Sequence, residues 1–221
     1  MSRTFSFELG EYYHCYGRGT EKRRIFLNKK DYDRFIALLF VCNGAETIHL
    51  SDHGEKSFYD LFLIKRENTL VEIGAYCLMP NHFHLLLREK REGGLSLFMQ
   101  KLMTAYTMYF NKKYERTGVL FESRFKAQHA NTDRYLKYLF SYIHLNPVKL
   151  MDSGWKEHGI KNIGEAKKFL AKYDYSSYLD YLENNRSQYG ILNQTAFPDY
   201  FRKKKTFERE IWDWLNYHEV E

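Results

Sequence analysis

Three cysteines and three prolines are all that the 221 residues contain of either. Cys15, Cys42 and Cys77 form no CxxC pair and no even set, which excludes a disulfide framework and a zinc ribbon and leaves free thiols. The chain also lacks a Pro/Gly/Ser-rich linker, a repeat of solenoid length and any low-complexity run, so the collagen-like, disordered and tandem-repeat classes are excluded. No stretch reaches the roughly 18 uncharged apolar residues of a membrane span. The first residues, MSRTFSFELGEYYH, lack the apolar core of a signal peptide, so a cytoplasmic protein without a membrane partner is expected.

What is present is a globular composition, 44% hydrophobic and 28% charged, in which 34 Lys and Arg outweigh 28 Asp and Glu to give a net charge of +6. That balance favours polyanionic partners. The 19 tyrosines and 17 phenylalanines are the unusual feature. Most must form a core, but rings beside basic residues also suit single-stranded nucleic acid, because every base offers a face to stack on.

The periodicity predicts one α+β unit. Residues 11–17 read as a strand, and DYDRFIALLFVC (31–42) as a helix, with Phe35, Leu38, Leu39 and Cys42 at helical spacing. Residues 44–70 read as an irregular connection. Val71 to Met79 and His82 to Arg88 both alternate with a period of two, and only Pro80 and Asn81 separate them, which predicts a tight antiparallel hairpin. A long helix over 95–116 stops at Gly118, a strand follows over 119–127, and a helix capped by Asn131 or Thr132 runs to Pro147. The order β, α, β, β, α, β, α suits a ferredoxin-like antiparallel sheet with helices packed on one face. Beyond it, residues 151–221 read as an accessory, mostly helical region, with helical segments near 163–173 and 176–184, the basic run Arg202 to Lys205, and a closing segment with Trp212 and Trp214.

His82 and His84 are the most informative residues, because positions i and i+2 of a strand share a face and deliver two imidazoles side by side. They are candidates to hold a divalent ion; the bland alternative is the solvated side of an amphipathic strand. Tyr142 and Asn146, four apart, share a helical face that pairs a phenol with an amide oxygen. Such a face fits phosphodiester cleavage, the phenolate attacking phosphorus while an ion draws charge from a non-bridging oxygen. Against this stands a simple reading of Tyr135, Tyr138, Leu139 and Tyr142 as an aromatic packing stripe.

The segments YCLMPNHFHLLL (76–87) and SYIHLNPVK (141–149) resemble the single-tyrosine HUH transposases of bacterial insertion sequences, particularly the branch of REP-associated tyrosine transposases. Further similarity lies in GEYYHCYGRG (10–19), KRRIFLNKKDYDRF (22–35), YFNKKYERTGVLFESRFKA (109–127) and DRYLKYL (133–139), so that it spans residues 9–150. The resemblance implies a catalytic domain over residues 1–150, with His82 and His84 as metal ligands, Asn146 as the completing ligand and Tyr142 as the nucleophile. It also implies Mg²⁺ or Mn²⁺ and a single-stranded or hairpin DNA substrate cleaved through a 5′-phosphotyrosine. Because hard ions prefer oxygen, an ion held by imidazoles needs water and substrate phosphate to fill its shell. Two positions depart from the family pattern: Gly17 stands where Asn commonly precedes Arg-Gly, and Glu122-Ser123 where Gln-Gly or Gln-Ser is common. These bear on which DNA is recognised.

For the DNA backbone the candidates are Arg18, Lys112, Lys113, Arg116, Arg124 and Lys126, with Tyr76, Tyr109 and Phe121 as candidate stacking rings. His14 and His129 are expected to approach the sheet face, whereas His49, His53, His144, His158 and His218 have no assigned partner. Two other classes remain open: a domesticated DNA or RNA hairpin-binding protein that does not cut, and a rolling-circle initiator or relaxase, which the SYIHLNPVK segment argues against. A homodimer is left open too.

Overall fold

The computed structural model describes residues 6–45, 60–64, 66, 68–182, 186–199 and 204–213. Four strands, β1 (Tyr12–Arg18), β2 (Val71–Met79), β3 (His82–Glu89) and β4 (Lys126–His129), form one antiparallel sheet in the order β2-β3-β1-β4. With α1 (Lys29–Val41), α2 (Gly94–Lys113) and α3 (Asp133–Leu145) between and after them, this is the expected ferredoxin-like succession. The turn between β2 and β3 is Pro80-Asn81, and it is held from outside: the Ile25 and Phe26 N–H groups donate to Pro80 O, and Gly19 N–H donates to Asn81 O.

Alternation along each strand sorts the side chains onto two faces, each with its own core. Tyr13, Cys15, Tyr76, Leu78, Phe83, Leu85 and Leu87 pack with α1 and α2 through Phe35, Leu39, Phe98, Leu102 and Tyr106. Ala75, Cys77, Met79 and Leu86 face the other way and meet Leu136, Leu139, Phe140 and Ile143 of α3. Helices therefore cover both faces: α1 and α2 form the expected layer on one, and α3 with the chain that follows lines the other. This is why every residue of β2 is buried.

The expected strand over 119–127 shortens to β4, an edge strand of four residues. Val119 to Phe125 is instead a loop joined to the sheet by a single bridge, Gly19 to Phe121. Its apolar residues Leu120, Phe121 and Phe125 are buried as loop anchors, so their spacing imitates a strand.

After a 3-10 turn over Asn146–Leu150 come α4 (Trp155–His158), α5 (Ile163–Leu170), α6 (Tyr178–Tyr181) and α7 (Lys204–Asp213). Residues 175–177 run beside β2: Leu78 N–H donates to Tyr175 O, Ser177 N–H to Tyr76 O, and Tyr76 N–H to Ser177 Oγ. A buried ion pair, Arg186 to Asp180, ties the segment together, and the same guanidinium donates to Ser176 O. Gly74, at a bulge in β2, makes room for Phe197: a Cβ there would lie 2.6 Å from that ring. Of the features read from sequence, His49, His53, Arg202, Lys203, Trp214 and His218 lie outside the described residues. Among the described residues no helix is long and apolar enough to cross a membrane.

Candidate active site

Strand β3 delivers His82 and His84 to the face lined by α3, as their spacing requires, and β1 runs alongside with Arg18 opposite His82 and Tyr16 opposite His84. The rings of His82 and His84 stand edge to face with centroids 4.9 Å apart. Helix α3 brings Tyr142 over them, its ring centroid 5.5 Å from that of His84 and 6.0 Å from that of His14. Asn146, the C-terminal cap of α3, is buried, and its Nδ2 has no hydrogen-bond partner. Residues far apart in sequence thus converge on one spot.

Each histidine has one ring nitrogen occupied by the protein. His82 Nδ1 lies 2.6 Å from Asn81 Oδ1, so the Nδ1–H tautomer donates there and leaves Nε2 as a lone pair. His84 Nδ1 lies 2.8 Å from His14 Nε2, and the tautomer that donates from His84 frees its Nε2 likewise. Fixing one nitrogen so that the other is aimed is how proteins orient metal-binding imidazoles. Burial lowers the pKa of His82 to about 4, helped by the charge of Arg18, while Asn146, which accepts a hydrogen bond from the protonated ring, pulls the other way. His84 is pushed well below the ordinary value, first by burial and then by His14 and His82. Burial likewise takes His14 to about 4, assisted by Lys156. All three imidazoles are therefore neutral at pH 7, the form that binds a cation.

The donor set fits a divalent ion held in partnership with substrate. Two neutral imidazoles and one amide contain no carboxylate, and among the described residues no three His, Cys, Asp or Glu side chains are grouped so as to hold a metal ion by themselves. Such a set would bind a hard ion weakly unless water and a phosphate completed the shell. The orphaned Asn146 Nδ2 is compatible with this: it is a buried donor lacking an acceptor, which a phosphate oxygen would supply.

The surroundings are cationic and aromatic. Arg18, Lys149 and Lys156 lie close enough to His82 for their charges to act on it. Lys156 Nζ donates to Tyr142 Oη at 2.8 Å and sits 4.1 Å from the centre of that ring. Tyr135, Tyr138 and Tyr142 stack along α3 with centroids 5.9 and 5.8 Å apart, all half-buried, and Tyr16 stacks on His14 at 5.0 Å. The tyrosine stripe is thus both packing and accessible surface.

Of the residues proposed for the DNA backbone, Arg18 and Lys126 lie on the histidine face, Lys126 opposite Tyr16 in the ladder and 3.8 Å from Glu122. Arg124 and Lys112 are exposed. Lys113 and Arg116 lie at the end of α2, on the other layer: Lys113 is paired with the buried Asp31, and Arg116 donates to Asn111 Oδ1. Tyr76 is buried, Phe121 nearly so, and the Tyr109 hydroxyl donates to Asp31, so these rings serve the interior. His129 faces Glu11. His144 is buried against Ser177 Oγ and Phe140 O. Sequence reasoning gave Lys149 and Lys156 no role. It also left His14 without one, although the alternation of β1 places His14 on the same face as Tyr16.

A solved structure described as a REP-associated tyrosine transposase bound to a REP hairpin is similar, at 10% identity and a TM-score of 0.48 over 84% of this chain and 87% of that one. No curated protein matches the chain. The family described as "Transposase IS200 like" matches residues 20–146, more than half of the sequence and the stretch that contains both histidines, Tyr142 and Asn146. The chain belongs to the IS200-like transposase family.

Proposed function

We propose that this protein is a single-tyrosine DNA strand transferase that cleaves single-stranded or hairpin DNA by transesterification, with Tyr142 as nucleophile. The observation that carries the reading is the convergence of the Tyr142 phenol with two oriented, neutral imidazoles and a buried, half-satisfied amide. A helix-borne phenol reaches a phosphate in line only where the strand is unstacked, which favours an unpaired segment or the base of a hairpin.

His82, His84 and Asn146 would hold Mg²⁺ or Mn²⁺, and the bound ion would withdraw charge from a non-bridging phosphate oxygen. Arg18 and Lys149, whose charges both act on His82, would draw the scissile phosphate toward the histidines. Tyr142 Oη forms a bond to phosphorus as the bond to the 3′-oxygen breaks. The phenolic proton goes to water and the departing 3′-oxygen takes one up. The 5′-phosphotyrosine keeps one phosphodiester in place of another, so a new 3′-hydroxyl can reverse the step without a nucleotide cofactor.

The test is a labelled hairpin incubated with the protein and Mn²⁺, followed by a denaturing gel. A covalent adduct is expected from the native protein and none from Tyr142→Phe. His82→Ala and His84→Ala should abolish the adduct yet retain most of the salt-sensitive binding, because phosphate contacts dominate affinity. Tight hairpin binding with no adduct from the native protein would favour a non-cutting hairpin binder, and an adduct that persists in Tyr142→Phe would remove Tyr142 from its role.

A further inference from the structure

Lys156 lies outside the residues matched to the family, in the single turn of α4, ten positions past Asn146. The chain leaves α3 through the 3-10 turn at Asn146–Leu150 and doubles back, with Trp155 buried in the α3-side core as the anchor. The neighbouring Lys156 is thereby aimed at the phenol. We propose that Lys156 is a catalytic residue that holds the Tyr142 oxygen and stabilises the charge on it, both when the phenol attacks and when it departs; the inference rests on the assignment of Tyr142 as nucleophile.

Two contacts by one ammonium argue for it. Lys156 Nζ donates to Tyr142 Oη at 2.8 Å, and the same nitrogen lies 4.1 Å from the ring centre. A lysine attracted only by the ring face would have no need to reach the hydroxyl. Lys156 forms no ion pair with a carboxylate among the described residues, so its charge is not cancelled. Its field also reaches His14, His82 and His84, which places it at the centre of the constellation.

The phenol loses its proton to water as Oη bonds to phosphorus and the bond to the 3′-oxygen breaks, while Lys156 keeps all three of its protons. Its N–H remains directed at Oη, where negative charge develops before the new bond is complete. In rejoining, the phenolate is the leaving group and the same donor meets it. One residue therefore assists both directions, as microscopic reversibility demands.

The test compares Lys156→Met and Lys156→Arg with the native protein, measuring adduct formation at saturating hairpin, rejoining of the isolated adduct to a 3′-hydroxyl strand, and hairpin affinity at fixed salt. Lys156→Met should slow adduct formation about 100-fold, the lower end of the range for a lost donor to developing oxyanion charge. Rejoining should slow by a similar factor, with affinity changed less than about 3-fold, as for one phosphate-neutral cation. Lys156→Arg, which keeps a charged donor, should recover most of both rates. The inference is overturned if Lys156→Met cleaves at the native rate, if its loss is confined to affinity, or if Lys156→Arg is as slow as Lys156→Met. Failure of the native protein to form any adduct would instead sink the assignment of Tyr142.

Discussion

At the scale of single residues, the site depends on contacts that no local pattern encodes. His82 and His84 can be found from a spacing of two, but His14 acquires its meaning only from a hydrogen bond to a residue 70 positions away. The same holds for Gly17. A Cβ there would lie 2.9 Å from Phe83 Cε1, so the ring of Phe83 already fills the space that the family's commoner Asn needs. Asp31 shows how one side chain locks the opposite layer. Fully buried, it accepts from Lys113, from the Tyr109 and Tyr114 hydroxyls and from the backbone N–H groups of Leu27 and Asn28. Burial pushes its carboxyl up, but the donors led by Lys113 and Tyr114 win and hold it below the ordinary carboxylate range. A carboxyl so lowered contributes stability above the unfolded pKa of about 4 and loses it as pH falls through the folded value. Asp31→Asn is therefore expected to destabilise the fold by about 2–3 kcal/mol at pH 7, in line with breaking one partner of a buried hydrogen-bonded pair. Denaturant midpoints of both proteins at pH 7 and pH 3 check this. The gap should shrink at pH 3, and an equal gap at both would show that the carboxylate charge is not its source.

At the scale of elements, the periodicity located the hairpin and the three long helices because their burial is regular, with β2–β3 joined by a two-residue turn and α1, α2 and α3 each presenting an apolar face. It misplaced β4 because Leu120, Phe121 and Phe125 are buried one by one from a loop. It gave no sign that α3 would take the far face of the sheet, since an apolar stripe does not say which face it meets. In α3 the same spacing serves two purposes, with Leu136, Leu139, Phe140 and Ile143 inward and Tyr135, Tyr138 and Tyr142 half-exposed. Over a seven-residue run the helix rises about 10 Å, the reach of two or three nucleotides. If the stripe is a stacking platform beside the scissile phosphate, Tyr138→Ala should weaken binding of a hairpin with an unpaired flank by about 1–3 kcal/mol, the value of one stacked base. Tyr138→Phe should not, and the bare stem should bind all three proteins alike. Titrations of the two DNAs decide the matter, because a purely packing role would lower thermal stability while leaving the flank preference intact.

At the scale of the whole molecule, the chain after Asn146 fastens the helix that carries Tyr142. Phe207 of α7 stacks on Tyr181 at 5.0 Å and meets Phe140 and His144 of α3 at 5.9 and 5.3 Å. Helix α3 is thus gripped between the sheet and α6–α7, with Leu136, Leu139, Phe140 and Ile143 buried. Peeling it away to serve a second copy would expose these four side chains at about 1.5–3 kcal/mol each, roughly 6–12 kcal/mol in all. That cost must be met by an identical site on the partner, and an exchanged helix would also have to carry α4 and α7 along. The geometry within one chain already brings Tyr142 to His84, so the proposed site calls for no second copy. Mixing Tyr142→Phe with a His82→Ala, His84→Ala double variant should therefore yield no covalent adduct, whatever the ratio and however long the preincubation. Each protein lacks one half of the site and can regain it only by exchange of α3. An adduct carried by the double variant, appearing in proportion to mixed species, would show that the phenol and the imidazoles come from different copies.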